Sequence, residues 1–452
     1  MSPDPQTAAD PDARSGLSPA RTLHVDALLD DPETRIVVCC GSGGVGKTTT
    51  AAALALRAAE RGRKVVVLTI DPAKRLAQSM GIDSLDNVPR RVKGTEDRRA
   101  EAPGESAEAG ELHAMMLDMK RTFDEVVETH ADPERAAQIL ANPFYQTVSG
   151  GFAGTQEYMA MEKLGQLRAK DEWDLIIVDT PPSRSALDFL DAPKRLGSFL
   201  DGKLIRVLTA PAKLGGRAGM AFLNVGMSMM TGTLGKLLGG QLLKDAQTFV
   251  SAMDTTFGGF RTRADATFKL LQAPGTAFLV VAVPERDALR EAAYFVERLA
   301  AEKMPLVGLV LNRVHGSGAT RLSAERALTA AENLAEPGIV DQEDGKADVR
   351  NSPETDGSSD SASLSDTSPA SEDGSPAPAP DRPVDELTAG LLRLHAERMR
   401  LLAREQHTRD RFISDHPEVA IVEVPALPGD VHDLTGLRDI GDRLAAGHTE
   451  LS

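Results

Sequence analysis

The sequence predicts an α/β fold, a mostly parallel central sheet flanked by helices, and three observations carry that reading. Apolar runs of strand length recur at Ile36–Cys40, Val65–Ile70 and Leu175–Val178. Each is uninterrupted by polar residues at alternate positions except for Thr69, the pattern of a strand covered on both faces. Each also ends at a residue suited to a ligand crevice, Gly41, Asp71 or Asp179, and open α/β sheets bind their ligands at the C-terminal ends of their strands.

The first run leads into Gly41-Ser42-Gly43-Gly44-Val45-Gly46-Lys47-Thr48-Thr49, then into the helix-forming Ala51-Ala52-Ala53-Leu54-Ala55-Leu56. Strand, loop and helix stand in the order required by G-x-x-x-x-G-K-[ST], the phosphate loop. Glycines let successive backbone N–H groups turn inward on phosphate oxygens, and the helix N-terminus adds its partial positive charge. Lys47 is placed to reach the β/γ-phosphates and the Thr48 hydroxyl to ligate Mg²⁺. The first six residues also spell G-x-G-x-x-G, with Asp71 near the place of a ribose-binding acid. Lys47-Thr48 directly after the last glycine favours the phosphate loop, since a dinucleotide site has no need of them.

Asp71 ends the second run and opens Asp71-Pro72-Ala73-Lys74-Arg75-Leu76. A carboxylate there can accept a hydrogen bond from an attacking water; it can equally cap a helix that starts at Pro72. Leu112–Leu117 reads as a further strand. Asp179 ends the next, in Leu175-Ile176-Ile177-Val178-Asp179-Thr180-Pro181-Pro182, where a carboxylate would hold the Mg²⁺ water shell. A helix cap or turn former is the plainer reading of such an Asp.

The segments Gly41–Thr49, Thr69-Ile70-Asp71-Pro72-Ala73 and Val178-Asp179-Thr180-Pro181-Pro182-Ser183 together resemble the ArsA family, the arsenical pump-driving ATPases and the related ATPases that target tail-anchored membrane proteins. Val281-Ala282-Val283-Pro284-Glu285 and Gly308–Arg313 are similar to the family's late strands, and Val424–Pro428 to its base-covering loop. The resemblance runs from about Arg35 to about Leu444. It implies that ATP and Mg²⁺ are the cofactors, that Asn312 lies against the adenine, and that Pro425, Leu427 and Pro428 close over it. With Gly41–Thr49 for the phosphates, Thr48 and Asp179 for the metal and Lys47 and Asp71 for the chemistry, the expected site is complete.

Several family features are missing. The family's loop normally begins Gly-Lys-Gly-Gly, and that lysine reaches the partner's nucleotide across a dimer; here the position is Ser42. Metalloid-binding cysteines and a zinc CxxC are absent too. The only cysteines, Cys39 and Cys40, should face opposite sides of their strand and serve as core. The family's His after the Mg²⁺-site Asp is also absent. Arg184, in that segment, reads either as a cation beside the γ-phosphate or as a solvated helix-start arginine.

Composition narrows the setting. In 452 residues, 51 basic and 67 acidic side chains leave a net charge of −16, which argues against nucleic-acid or anionic-membrane binding. Met1–Arg21 lacks the apolar core of a signal peptide, and residues 1–31 are expected as a disordered tail of a cytoplasmic protein. Glu336–Glu386 holds fourteen acids against three bases among Ser, Pro, Gly and Ala. The range 331–386 is therefore expected as a disordered insertion in one discontinuous domain, 32–330 with 387–447. A helical subdomain is expected within about 118–270. His395 and His407 read as helix-surface residues.

Ala218–Gly235 carries no charge, and Met220, Leu223, Met227, Met230, Leu234 and Leu237 recur at helical spacing. Glycines and polar residues within it argue against a transmembrane segment. It reads as a dimer seam or core helix, or as an adaptable groove for a hydrophobic client. The resemblance implies a nucleotide-gated dimer, either a homodimer or a heterodimer with a lysine-containing paralogue. Its expected role is targeting or chaperoning membrane-protein clients; the alternatives are the energising subunit of an anion or metalloid exporter and a weakly hydrolysing regulatory subunit.

Overall fold

The computed structural model describes residues 21–70, 75–82, 84–95, 110–148, 155–181, 262–335 and 382–447. Strands β1 (Ile36–Cys40), β2 (Lys64–Thr69), β3 (Arg90–Arg91), β4 (Glu111–Met116), β5 (Leu175–Asp179), β6 (Thr276–Ala282), β7 (Leu306–Val314) and β8 (Ile421–Pro425) form one sheet in the order β3-β4-β2-β5-β1-β6-β7-β8. Only β3 runs antiparallel to its neighbour. All four apolar runs expected as strands are strands, and the fold is the phosphate-loop α/β class.

The helices are α1 (Val25–Asp30), α2 (Lys47–Glu60), α3 (Arg75–Ser79), α4 (Met119–His130), α5 (Pro133–Ala141), α6 (Pro143–Val148), α7 (Thr155–Lys170), α8 (262–272), α9 (Arg286–Ala301), α10 (Ala324–Ala335), α11 (Arg382–Asp415) and α12 (Leu434–Ala446). Side chains alternate across the sheet with period two. Ile36, Val38 and Cys40 of β1 therefore join the core beneath α7 and α9, while Val37 and Cys39 join the core beneath α2 and α12. The adjacent cysteines face opposite layers, as their spacing requires, and both are buried. Helix α2 presents alanines and leucines to the sheet: Ala51 through Leu56 have no exposed surface. Small side chains there let the helix lie close to β1 and β2, which fixes its N-terminus over the strand ends.

Contacts divide the chain into two units, one comprising residues up to Gly316 with Glu405 onward, the other Ser317–Arg404. The latter contains α10 and the first part of α11. Residues 331–335 and 382–386, expected within the acidic insertion, are helical, because α10 and α11 run into its edges. The segment between them, the Met-rich stretch, Asp71 and Arg184 lie outside the described residues.

The N-terminal expectation needs correcting for residues 21–31. Ile421 donates its N–H to the Arg21 carbonyl at 2.7 Å and Leu23 donates to the Ile421 carbonyl at 3.1 Å, extending the sheet past β8. Val25 and Leu29 of α1 are fully buried. A short helix with two apolar residues one turn apart is hard to distinguish from a tail by pattern, since its stability comes from packing rather than propensity.

Candidate nucleotide site

The loop Gly41–Gly46 leaves the C-terminal end of β1, which lies between β5 and β6. Its path depends on glycine at two points. At Gly41 (φ 151°) a Cβ would sit 2.1 Å from the Val281 carbonyl oxygen, so β6 leaves no room for a side chain. At Gly46 (φ 95°) a Cβ would sit 2.2 Å from Asn312 Nδ2. Gly46 then caps α2 in the left-handed region, the conformation glycine adopts at little cost.

Lys47, the first residue of α2, is 6% exposed and donates from Nζ to the Ser42 carbonyl at 2.7 Å. The lysine is thus folded back across the loop it follows, with its charge at the loop's inner edge. Thr48 Oγ1 donates to Asp179 Oδ2 at 2.8 Å, and Thr69 Oγ1, from the end of β2, donates to the same oxygen at 2.9 Å. Asp179 has no exposed surface. Thr180, the next residue, ties β5 to β1 by donating Oγ1–H to the Cys39 carbonyl at 2.8 Å. Nearby charge also acts on the thiols: burial and then Asp179 push Cys39 well up, and burial pushes Cys40 up to about 12, so neither is a nucleophile at neutral pH.

The far side of the loop is held by β7. Asn312, 9% exposed, donates Nδ2–H to the Val45 carbonyl at 2.8 Å, and its Oδ1 accepts the Arg313 N–H at 3.0 Å. Arg313 in turn donates to the Gly44 carbonyl at 3.2 Å. Across β7, Asn312 pairs with Val424 and Val314 with Pro425, so Pro425, Leu427 and Pro428 follow from the same end of the sheet as Asn312. Leu427 packs partly into the core, while Pro428 is exposed. A cleft of about 320 Å³ opens beside the loop, bounded by Ser42, Gly44, Glu285, Asp287, Glu291 and Arg313.

Gly41–Thr49, Asp179, Asn312 and Pro425–Pro428 therefore gather at one sheet end; Asp71 lies outside the described residues. Thr69, Thr180 and Arg313 were not among the expected site residues. Thr69 was legible as the one polar residue within an apolar run, and Thr180 as the residue after Asp179; nothing in the spacing marked Arg313.

Residues 34–321 match the family model of the anion-transporting ATPases. The chain is 26% identical to the ATPase GET3 of Podospora anserina over 64% of its own length and 76% of that protein's. It is 25% identical to an ATPase ASNA1 homolog of Cryptosporidium parvum over 61% of its own length and 63% of that protein's. With a phosphate loop held between β5, β6 and β7 and a matching model over most of its length, the chain is an ATPase and belongs to the anion-transporting (ArsA) ATPase family.

Proposed function

We propose that this chain binds Mg²⁺–ATP at the Gly41–Thr49 loop and hydrolyses it to open and close a cytoplasmic dimer that carries hydrophobic membrane-protein clients. The observation that carries the nucleotide half is the 2.8 Å contact between Thr48 Oγ1 and Asp179 Oδ2, behind the turn that Lys47 makes around the loop. A hydroxyl and a carboxylate oxygen this close are hard donors that suit Mg²⁺, which keeps most of its own waters. Thr48 and Asp179 would hold that ion, and it would neutralise the β- and γ-phosphate oxygens as charge shifts during transfer. Lys47 would exchange the Ser42 carbonyl for phosphate oxygens. Asn312, with Pro425, Leu427 and Pro428, would border the adenine, and Asp71 would orient the attacking water. No helix among the described residues is long and apolar enough to cross a membrane. The client half of the reading rests on the uncharged Met-rich stretch Ala218–Gly235 and on the family resemblance.

Lys47→Ala should abolish tight ATP binding while leaving the fold intact, and Asp71→Asn should spare binding and slow turnover; calorimetric affinity and phosphate release measure both. Unchanged affinity in Lys47→Ala would sink the site. Purifying the full chain with ATP trapped and identifying what accompanies it tests the client: a tail-anchored protein supports targeting, whereas a membrane channel would select the exporter reading. Ser42 favours a second reading, a slowly hydrolysing subunit that depends on a lysine-containing paralogue.

A further inference from the structure

Arg313 sits where a strand stops behaving as a strand. The β7–β8 register slips between Asn312 and Val314, and Arg313, at the slip, has φ 57°. A bulge of this kind re-aims a side chain, and a bulky residue held in the left-handed region at a crevice points to a positional task. The turn is stabilised locally, because the Arg313 N–H donates to Asn312 Oδ1 at 3.0 Å. Its product is a guanidinium carried over the phosphate loop to the Gly44 carbonyl at 3.2 Å, while Asn312 takes the neighbouring Val45 carbonyl at 2.8 Å.

The loop therefore has two differently occupied edges. Its Ser42 carbonyl faces Lys47, the cation of the phosphate side. Its Gly44 and Val45 carbonyls face the Asn312-Arg313 pair, on the side of the sheet end that continues to Pro425 through β8. We infer that Arg313 is a base-positioning residue: anchored at its tip on Gly44, it lays its stem and guanidinium along one face of the purine whose edge Asn312 meets. This deepens the ATP-site reading and rests on it. A planar guanidinium packs flat on a ring and is attracted to its π face.

The test compares ATP with inorganic tripolyphosphate, which has the phosphates and no base, on the full chain with Mg²⁺. Arg313→Ala should weaken ATP binding about tenfold, the scale of a partly desolvated guanidinium–ring contact, and leave tripolyphosphate affinity within about twofold. The loss should fall on KM rather than kcat, and Arg313→Lys should recover only part of it because the planar head is gone. Equal losses for both ligands, no loss for either, or a loss confined to kcat would overturn the proposal. Wild-type protein that binds no ATP would instead sink the site itself.

Discussion

At the scale of single residues, Gly41 and Gly46 define how closely the sheet and the loop approach each other. Gly41 meets backbone, the Val281 carbonyl oxygen at 2.1 Å from a built Cβ, whereas Gly46 meets only the amide tip of Asn312 at 2.2 Å. Backbone of a central strand cannot yield as a side chain can. Gly41→Ala should therefore cost about 1–3 kcal/mol of stability through overpacking, read from denaturant midpoints. Gly46→Ala should cost less stability and more nucleotide affinity, because the amide it displaces is the one holding Val45. A Gly41→Ala protein as stable as wild type would show that β6 shifts to accommodate the methyl group.

At the scale of elements, α1 is bound into the fold by both its faces. Val25 and Leu29 face the core, while Asp26 accepts two hydrogen bonds from Arg57 of α2, at 2.5 and 2.8 Å. Arg57 also donates to Asp442 of α12 at 2.8 Å, so one guanidinium joins three helices. Leu29→Ala should destabilise by about 2–5 kcal/mol, the cost of a core leucine; a loss within experimental error would restore the tail reading for this segment. The Arg57 hydrogen bond, its largest cause, holds the Asp26 carboxyl below its ordinary value. A depressed folded pKa contributes stability that is present above the unfolded carboxylate pKa and lost as pH falls through the folded one. Asp26→Asn should accordingly cost about 1 kcal/mol at neutral pH, discounted for its partial exposure. The difference from wild type should vanish on acidification through the carboxylate range, as followed by thermal melts at stepped pH.

For the molecule as a whole, turnover depends on the cation that serves the γ-phosphate. The resemblance assigns that task to a lysine of the opposite subunit at the place of Ser42, and cations supplied this way are worth on the order of 10³–10⁵ in rate. A homodimer of this chain would lack the group at both sites. In the proposed reading Lys47 leaves the Ser42 carbonyl for the phosphates as the loop's own cation, which a lysine-containing relative also has, while Arg313 contacts the loop's other edge. Ser42→Lys should raise turnover of the isolated chain by at least tenfold if the absent cation is the deficit, measured as phosphate release at saturating ATP. Wild-type turnover as fast as that of lysine-containing relatives would show that a cation within this chain compensates.

The sequence by itself determined the strands that carry the site, because a strand buried on both faces must be apolar throughout and its last residue must meet the ligand crevice. Ile36–Cys40, Leu175–Asp179 and the loop between β1 and α2 were legible for that reason. So was the opposed burial of Cys39 and Cys40, which follows from the two-residue period of a strand. Only the tertiary structure decided that residues 21–30 are part of the fold, since two buried side chains and one bridge to β8 carry no local pattern. The same holds for Thr69, brought onto Asp179 by the pairing of β2 with β5, and for Arg313, aimed at Gly44 by a bulge against β8. Local periodicity reports which face of an element is buried. Contacts between residues some 110 and 269 positions apart exist only once the strands are ordered side by side.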